Sequence, residues 1–144
     1  MPVVRVYVPV GRSELAELAE TGALSAGPGM PRPAHAVTTD LHRAGAGHDL
    51  EDLEYTAFCD AVDAAGAARA EPGDRRVVLS ADADPESVVE RGRGGAVTQV
   101  VLTSALPLSR LASLHVDEGA GAGADDDLLW YDATELDEVR RLLG

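Results

Sequence analysis

Several residue types are missing or rare in this 144-residue chain, which has no lysine, asparagine or isoleucine, one cysteine and five aromatic residues. The three missing types are encoded by AT-rich codons, so their absence indicates a bacterial genome of high GC content. The single Cys59 excludes an internal disulfide and fits a reducing cytosol. No apolar run approaches the roughly 18 residues of a membrane-spanning helix, and no signal-peptide pattern opens the chain. These absences predict a soluble cytoplasmic protein without a membrane attachment.

Positive charge is also scarce. The chain has 12 arginines and 25 aspartates and glutamates, so its formal net charge is −13. Proteins bind nucleic-acid phosphates and anionic membranes through lysine and arginine. The composition therefore excludes non-specific binding to either of them. It leaves a basic protein partner open, including one that recognises the acidic surface as a mimic of DNA.

The apolar pattern changes along the chain between the period of a strand and that of a helix. In residues 3–10 the valines at positions 4, 6, 8 and 10 point one way while Arg5 and Tyr7 point the other, which predicts a first strand. Further strands are predicted at 34–38, 76–80, 96–103, 114–116 and 128–131. Helices are predicted after caps at Ser13, Asp49 and Asp132, with shorter helical turns at 84–90 and 108–114.

This order of elements predicts one layered domain over residues 1–144, of the α/β or α+β class. We expect a sheet of four to five strands covered by about four helices, with a ferredoxin-like arrangement as the main specific alternative. Residues 118–127 are rich in glycine and aspartate and predict a flexible loop, and residues 91–95 predict a hairpin turn.

Glu54 lies in the middle of the apolar face of the best-defined helix. Apolar residues recur every three or four positions along this helix, and Glu54 projects among them. A carboxylate in that position needs a partner or a proton, because burying an unpaired charge costs many kcal/mol. The favoured interpretation is a salt bridge to an arginine such as Arg5 or Arg76. A general acid or base with a raised pKa and a solvated position at the helix edge are the alternatives.

Two short segments near the C-terminal end carry the other candidate site residues. If the residues on either side of His115 face the core, His115 and Asp117 share the opposite face. They are then either a general base with its orienting partner or a solvated strand end. Trp130 and Tyr131 are the chain's only adjacent aromatic residues, and they are interpreted as core packing or as an anchor for a partner. With Arg5 and Tyr7 on the first strand, they are the candidate binding residues.

Metal and cofactor sites are not predicted. The histidines and aspartates between residues 35 and 49 lack the spacing that places two metal ligands on one helix face. The glycines at 45 and 47 precede an acidic first helical turn, which would repel a phosphate. No nucleophile motif is present either.

Six segments of the chain are distinctive when they are taken in order. They are RVYVP (5–9), AHAVT (34–38), DLEYTAFCDA (52–61), RRVVLSAD (75–82), HVDE (115–118) and LLWYDATEL (128–136). Together they resemble a family of small acidic actinobacterial proteins, the domain of unknown function 6912. The resemblance implies a fold and a bacterial lineage but no chemistry, and Glu54, His115, Asp117 and Trp130 lie inside the matching segments.

The leading functional hypothesis is a non-enzymatic cytosolic protein that binds another protein. It follows from strong acidity in a chain where no cofactor loop, metal set or activated nucleophile is recognised. The first alternative is a small hydrolase or isomerase-like enzyme that uses Glu54 with His115 or Asp117. The second alternative is an acidic mimic of DNA that binds a basic partner.

Overall fold

The computed structural model describes residues 3–69, 71, 73–90, 96–119, 123 and 126–144. Within these residues the helices are α1 (Arg12–Thr21), α2 (Thr39–Ala44), α3 (Leu50–Ala67) and α4 (Leu136–Leu143). The strands are β1 (Val4–Val10), β2 (Ala23–Leu24), β3 (Arg32–Ala36), β4 (Val77–Ala83), β5 (Val88–Glu90), β6 (Gln99–Leu102), β7 (Leu106–Pro107), β8 (Leu111–Asp117) and β9 (Leu128–Asp132). Short 3₁₀ turns at Pro85–Ser87, Leu108–Arg110 and Ala133–Glu135 precede β5, β8 and α4.

Seven of these strands form one antiparallel sheet in the order β5-β6-β3-β1-β4-β8-β9. In the central strand β1, Tyr7 lies opposite His35 of β3 on one side and opposite Ser80 of β4 on the other. One edge of the sheet is β9, in which Trp130 lies opposite His115 of β8. The short strands β2 and β7 pair with each other in a separate ribbon.

The larger core lies on the sheet face that α1 and α4 cover. Alternate residues of the central strands, such as Val6, Leu79 and Leu114, are at most 1% exposed on this face. They pack with Leu15 of α1 and Val139 of α4. The side-chain alternation predicted for β1 is therefore confirmed, because its valines face this core.

The opposite face of the sheet carries α3 and a smaller core. Ala57, Ala61 and Ala65 of α3 are buried there against Tyr7 of β1 and Val78 of β4. The small alanine side chains allow the helix to lie close to the sheet. The sheet is thus the middle of three layers, and α3 is the outer layer on the side that carries the candidate site.

Two of the predicted helix starts are confirmed and one is wrong. Asp49 accepts a hydrogen bond from a first-turn backbone N–H at 2.9 Å, and α3 follows it. Glu135 accepts a hydrogen bond from the backbone of Asp132 at 3.0 Å, and the 3₁₀ turn that they close leads into α4. The first helix begins at Arg12, so Ser13 lies inside its first turn and does not cap it.

The mixed α/β class is confirmed, but the sheet has seven strands where four to five were expected. One reason lies in residues 84–90, where the predicted helical turn ends at Ser87 and the chain continues as the edge strand β5. Helices also cover both faces of the sheet, which differs from a ferredoxin-like arrangement with its helices on one face.

Some sequence predictions concern segments that the structure covers only in part. The hairpin turn predicted at 91–95 lies outside the described residues, and so do residues 120–122, 124 and 125 of the loop predicted at 118–127. Among the helices that are described, none combines the length and the apolar character needed to cross a bilayer.

Candidate functional site

Most of the candidate site residues converge on the face of the sheet that α3 covers. Arg5 and Tyr7 of β1, His115 of β8 and Trp130 of β9 belong to alternating positions that share this face. Glu54 reaches the same region from α3, because its charge acts on both Arg5 and Tyr7. The sequence places these residues far apart, and the antiparallel sheet brings them together.

Several aromatic side chains lie near one another here. Phe58 of α3 stacks on Tyr55 at a ring-centroid distance of 6.3 Å, and His115 meets Phe58 edge-on at 4.7 Å. Trp130 is the cross-strand neighbour of His115 and lies at the sheet edge. Tyr55 and Trp130 are 65% and 61% exposed. We call Tyr55, Phe58, His115 and Trp130 the aromatic patch.

Within this patch, His115 is hydrogen-bonded to two serines. Its Nε2 atom lies 3.0 Å from Ser113 Oγ and 3.2 Å from Ser80 Oγ, and both serines are buried. Burial lowers the pKa of His115 below its usual range. The imidazole is therefore neutral near pH 7, and the two hydroxyl groups hold it in place within the aromatic patch.

The lowered pKa of His115 predicts that acid destabilises the protein. Between the lower folded pKa and the unfolded value of about 6.5, the unfolded chain binds more protons, so stability decreases as the pH falls through this window. We expect the melting temperature to fall from pH 7 to pH 5, and to fall less in His115→Gln. His42→Gln, at an exposed position of α2, is the matched control. An equal fall in His115→Gln and the wild-type protein would contradict the assignment.

Glu54 is half-buried, and the salt bridge predicted for it is not found among the described residues. Arg5 donates from Nε to Asp82 Oδ1 at 2.8 Å, and Arg76 is bound to a different carboxylate. Glu54 instead acts through its charge on Tyr7, without a direct ion pair among the described residues. Burial, and next the negative charge of Glu54, raise the pKa of Tyr7 to about 12. The tyrosine hydroxyl therefore stays protonated at any physiological pH.

Asp117 has a structural partner. It is 1% exposed, and its Oδ1 accepts a hydrogen bond from Nη2 of Arg76 at 2.8 Å. Its Oδ2 accepts the backbone N–H of Arg76 at 2.6 Å, and the hydrogen bonds to Asp117 raise the pKa of that arginine. Asp117 thus shares the face of His115, as predicted, but a buried arginine occupies both of its oxygens.

Tyr131 is separated from Trp130 by the alternation of β9. Tyr131 lies opposite Leu114 and packs against the larger core beneath α4, whereas Trp130 lies opposite His115 on the α3 side. The core-packing interpretation is therefore confirmed for Tyr131 and does not describe Trp130. Tyr131 packs into the core, and Trp130 is the exposed member.

A buried chain of hydrogen bonds on the same face is missing from the sequence predictions. Thr98 donates from its hydroxyl to Asp60 Oδ2 at 2.7 Å and lies 2.9 Å from His35 Nδ1. Because the threonine has one proton to donate, Nδ1 of His35 donates to Thr98. Burial lowers the pKa of His35, and the charge of Asp60 opposes this shift. The available sequence signal for these hydrogen bonds, and for Ser80, is that polar residues alternate with core residues in β3, β4 and β8.

Comparison with known proteins identifies the family. The model of the family of unknown function DUF6912 matches residues 4–139, so the chain belongs to this family and the resemblance seen in the sequence is confirmed. No curated protein and no solved structure matches the chain. Family membership therefore leaves the function to be argued from the geometry of the site.

Proposed function

We propose that the chain is a non-enzymatic protein-binding module whose contact surface is the aromatic patch. The observation that carries the proposal is the concentration of aromatic side chains. Only five occur in the whole chain, and Tyr55, Phe58 and Trp130 lie together on one face. Tryptophan and tyrosine are enriched among the residues that supply most of the energy of protein interfaces. Tyr55 and Trp130 are both more than half exposed, which fits such a surface.

The edge strand β9 supports a specific mode of binding, in which a partner adds a further strand. Trp130 belongs to β9, whose outer edge is not paired with another described strand. An edge strand is able to form a backbone ladder with an extended segment, and the side chains beside it then give specificity. The aromatic patch then supplies the contact for every second side chain of the incoming strand.

Negative charge around the patch supports a basic partner. The pKa of Tyr55 is raised by its hydrogen bond to Cys59 and, further, by the negative charge of Asp127. Glu54 adds negative charge on the side of Tyr7. Because the whole chain also has a net charge of −13, we take the partner to be an extended segment rich in arginine or lysine.

Trp130→Ala tests this surface in a pull-down from a lysate of the source organism, followed by cross-linking and mass spectrometry. We expect the captured protein to be cross-linked near β9 through a basic extended segment. Loss of Trp130 should weaken this binding by about 2 kcal/mol or more, which is over tenfold in Kd. Met30→Ala, which removes an apolar side chain that is 79% exposed in a distant turn, should leave binding unchanged. Cross-links confined to another surface would contradict the proposal.

A second candidate function, a small hydrolase, is favoured by the contact between Ser113 and His115. Their 3.0 Å separation is the distance of a nucleophile from its base. The sequence predicts an enzyme that pairs Glu54 with His115 or Asp117. This candidate instead pairs Ser113 with His115, and Asp117 is held by Arg76. We expect a fluorophosphonate probe to label an enzyme of this kind, and Ser113→Ala to abolish the labelling. Absence of labelling in the wild-type protein would exclude it.

A further inference from the structure

Strand β9 presents an exposed apolar side chain on each face of the sheet edge. Trp130 is 61% exposed on the side of α3, and Leu129 is 42% exposed on the side of α4. Leu129 lies opposite Val116 of β8, which is fully buried in the larger core. The aromatic patch includes Trp130, but it does not account for the exposure of Leu129.

The face of β9 on the side of α4 is apolar at two alternate positions. Leu129 and Tyr131 share this face, and Tyr131 packs against the larger core. Covering further apolar surface here is favourable, because the free energy gained is roughly proportional to the apolar area removed from water. A strand added to β9 directs every second side chain to this face, so apolar residues fit those positions.

The face of β9 on the side of α3 is acidic when the neighbouring charges are counted together. Arg5 and Arg76 share this side of the sheet, but each is neutralised by an aspartate, Asp82 or Asp117, at 2.8 Å. Among the described residues, three carboxylates on this side have no ion pair with an arginine: Glu54, Asp127 and Asp132. Basic residues therefore fit the positions of an added strand that face this side.

Trp130 and Asp132 together define a place for one of these cations. They are two residues apart in β9 and share the face on the side of α3, about 7 Å apart along the strand. Hydrogen bonds from Thr134 lower the pKa of Asp132, so its carboxylate is negative at neutral pH. A guanidinium or ammonium group over the exposed indole gains a cation–π interaction and is also attracted by this carboxylate.

We infer that the partner of this surface is an amphipathic strand in which basic and apolar residues alternate. The inference rests on the proposed function, because it requires the partner to pair with the outer edge of β9. Successive side chains of an added strand point to opposite faces of the sheet. Its arginines or lysines lie beside Trp130 and Asp132, and its apolar residues cover Leu129. A basic segment without this alternation matches only one of the two faces.

Titration calorimetry with two synthetic peptides tests the inference on the intact chain. In one capped hexapeptide arginine and valine alternate, and in the other, of the same composition, three arginines precede three valines. Each peptide is long enough to span the five residues of β9. We expect the alternating peptide to bind at least about tenfold more tightly than the block peptide, because only its two faces match those of β9.

Leu129→Thr separates the apolar face of β9 from the acidic one. We expect this variant to bind the alternating peptide about fivefold more weakly, since it loses apolar area that the valines cover. Val89→Thr is the matched control, because Val89 is 47% exposed in β5, the strand at the opposite edge of the sheet. This control should bind both peptides as the wild-type protein does.

Equal binding of the two peptides overturns the inference. So does unchanged binding of the alternating peptide by Leu129→Thr, when a melting curve shows that the variant is folded. Affinity for the alternating peptide weaker than about 1 mM also overturns it.

Trp130→Ala distinguishes a failure of the inference from a failure of the proposed function. If the two peptides bind equally and both lose affinity in Trp130→Ala, the surface binds basic segments and only the alternation is wrong. If both peptides bind Trp130→Ala as tightly as they bind the wild-type protein, the surface is wrong, and the proposed function fails with the inference.

Discussion

Replacing Asp117 with alanine is expected to lower the free energy of unfolding by about 3–5 kcal/mol, the largest loss that we predict for a single polar side chain here. The guanidinium of Arg76 is 3% exposed and would remain buried without its counter-charge. The backbone N–H of the same arginine would also lose its acceptor, now 2.6 Å away. Urea unfolding of the variant and the wild-type protein measures the difference.

Asp82→Ala is the matched control for this experiment. It also removes an aspartate from an arginine at 2.8 Å, but the side chains of Arg5 and Asp82 are 37% and 35% exposed. Water stabilises the remaining arginine there, so we expect a loss of at most about 1 kcal/mol. If Asp117→Ala costs no more than this control, the buried pair is not a stability element, and Asp117 returns as a candidate acid or base.

Replacing Phe58 with alanine is expected to cost about 2–3 kcal/mol, somewhat less than the loss for a fully buried ring. Phe58 is partly exposed, but it contacts the rings of Tyr7, Tyr55 and His115 at once. Its neighbours on the buried face of α3 are mainly alanines, which are too small to fill the space that the ring leaves. Thermal and urea unfolding both measure this loss.

Tyr55→Ala provides the comparison for Phe58. Tyr55 stacks on the same ring but is 65% exposed, so its removal should change the free energy of unfolding by less than about 1 kcal/mol. A similarly small effect of Phe58→Ala would mean that the packing of α3 on the sheet does not depend on this ring. In that case the aromatic patch would be a surface feature without a role in the smaller core.

The sequence predicts local features of this molecule well where one residue type has one physical role. Asp49 and Asp132 are read correctly as caps because a short acidic side chain satisfies free N–H groups at a helix start. The alternation of valines with Arg5 and Tyr7 is also read correctly, since it needs only the period of a strand. Such features depend on neighbours within a few residues.

The sequence does not predict which distant segments contact each other. The sequence predicts an arginine as the partner of Glu54, yet Asp82 holds Arg5 and Asp117 holds Arg76. Choosing among these carboxylates requires the register of β1 with β4 and of β4 with β8, which no local pattern encodes. The contact of Ser80 with His115 depends on the same register, so a single sequence does not predict it.

The position of β1 at the centre of the sheet has a consequence for the way the protein is made. One of its two neighbours is β4, and the ion pair between the two strands joins residues 77 positions apart. During synthesis α3 emerges before β4, but β3 is the only described strand of the sheet that is available to pair with β1 until β4 leaves the ribosome, and a two-stranded ribbon is marginally stable in water. Pairings this distant in sequence form slowly, in roughly milliseconds to seconds. The nascent chain therefore passes through a stage in which β1 and β3 have unpaired edges. Its tendency to aggregate is set at this stage, before the sheet is complete, rather than after the protein has folded.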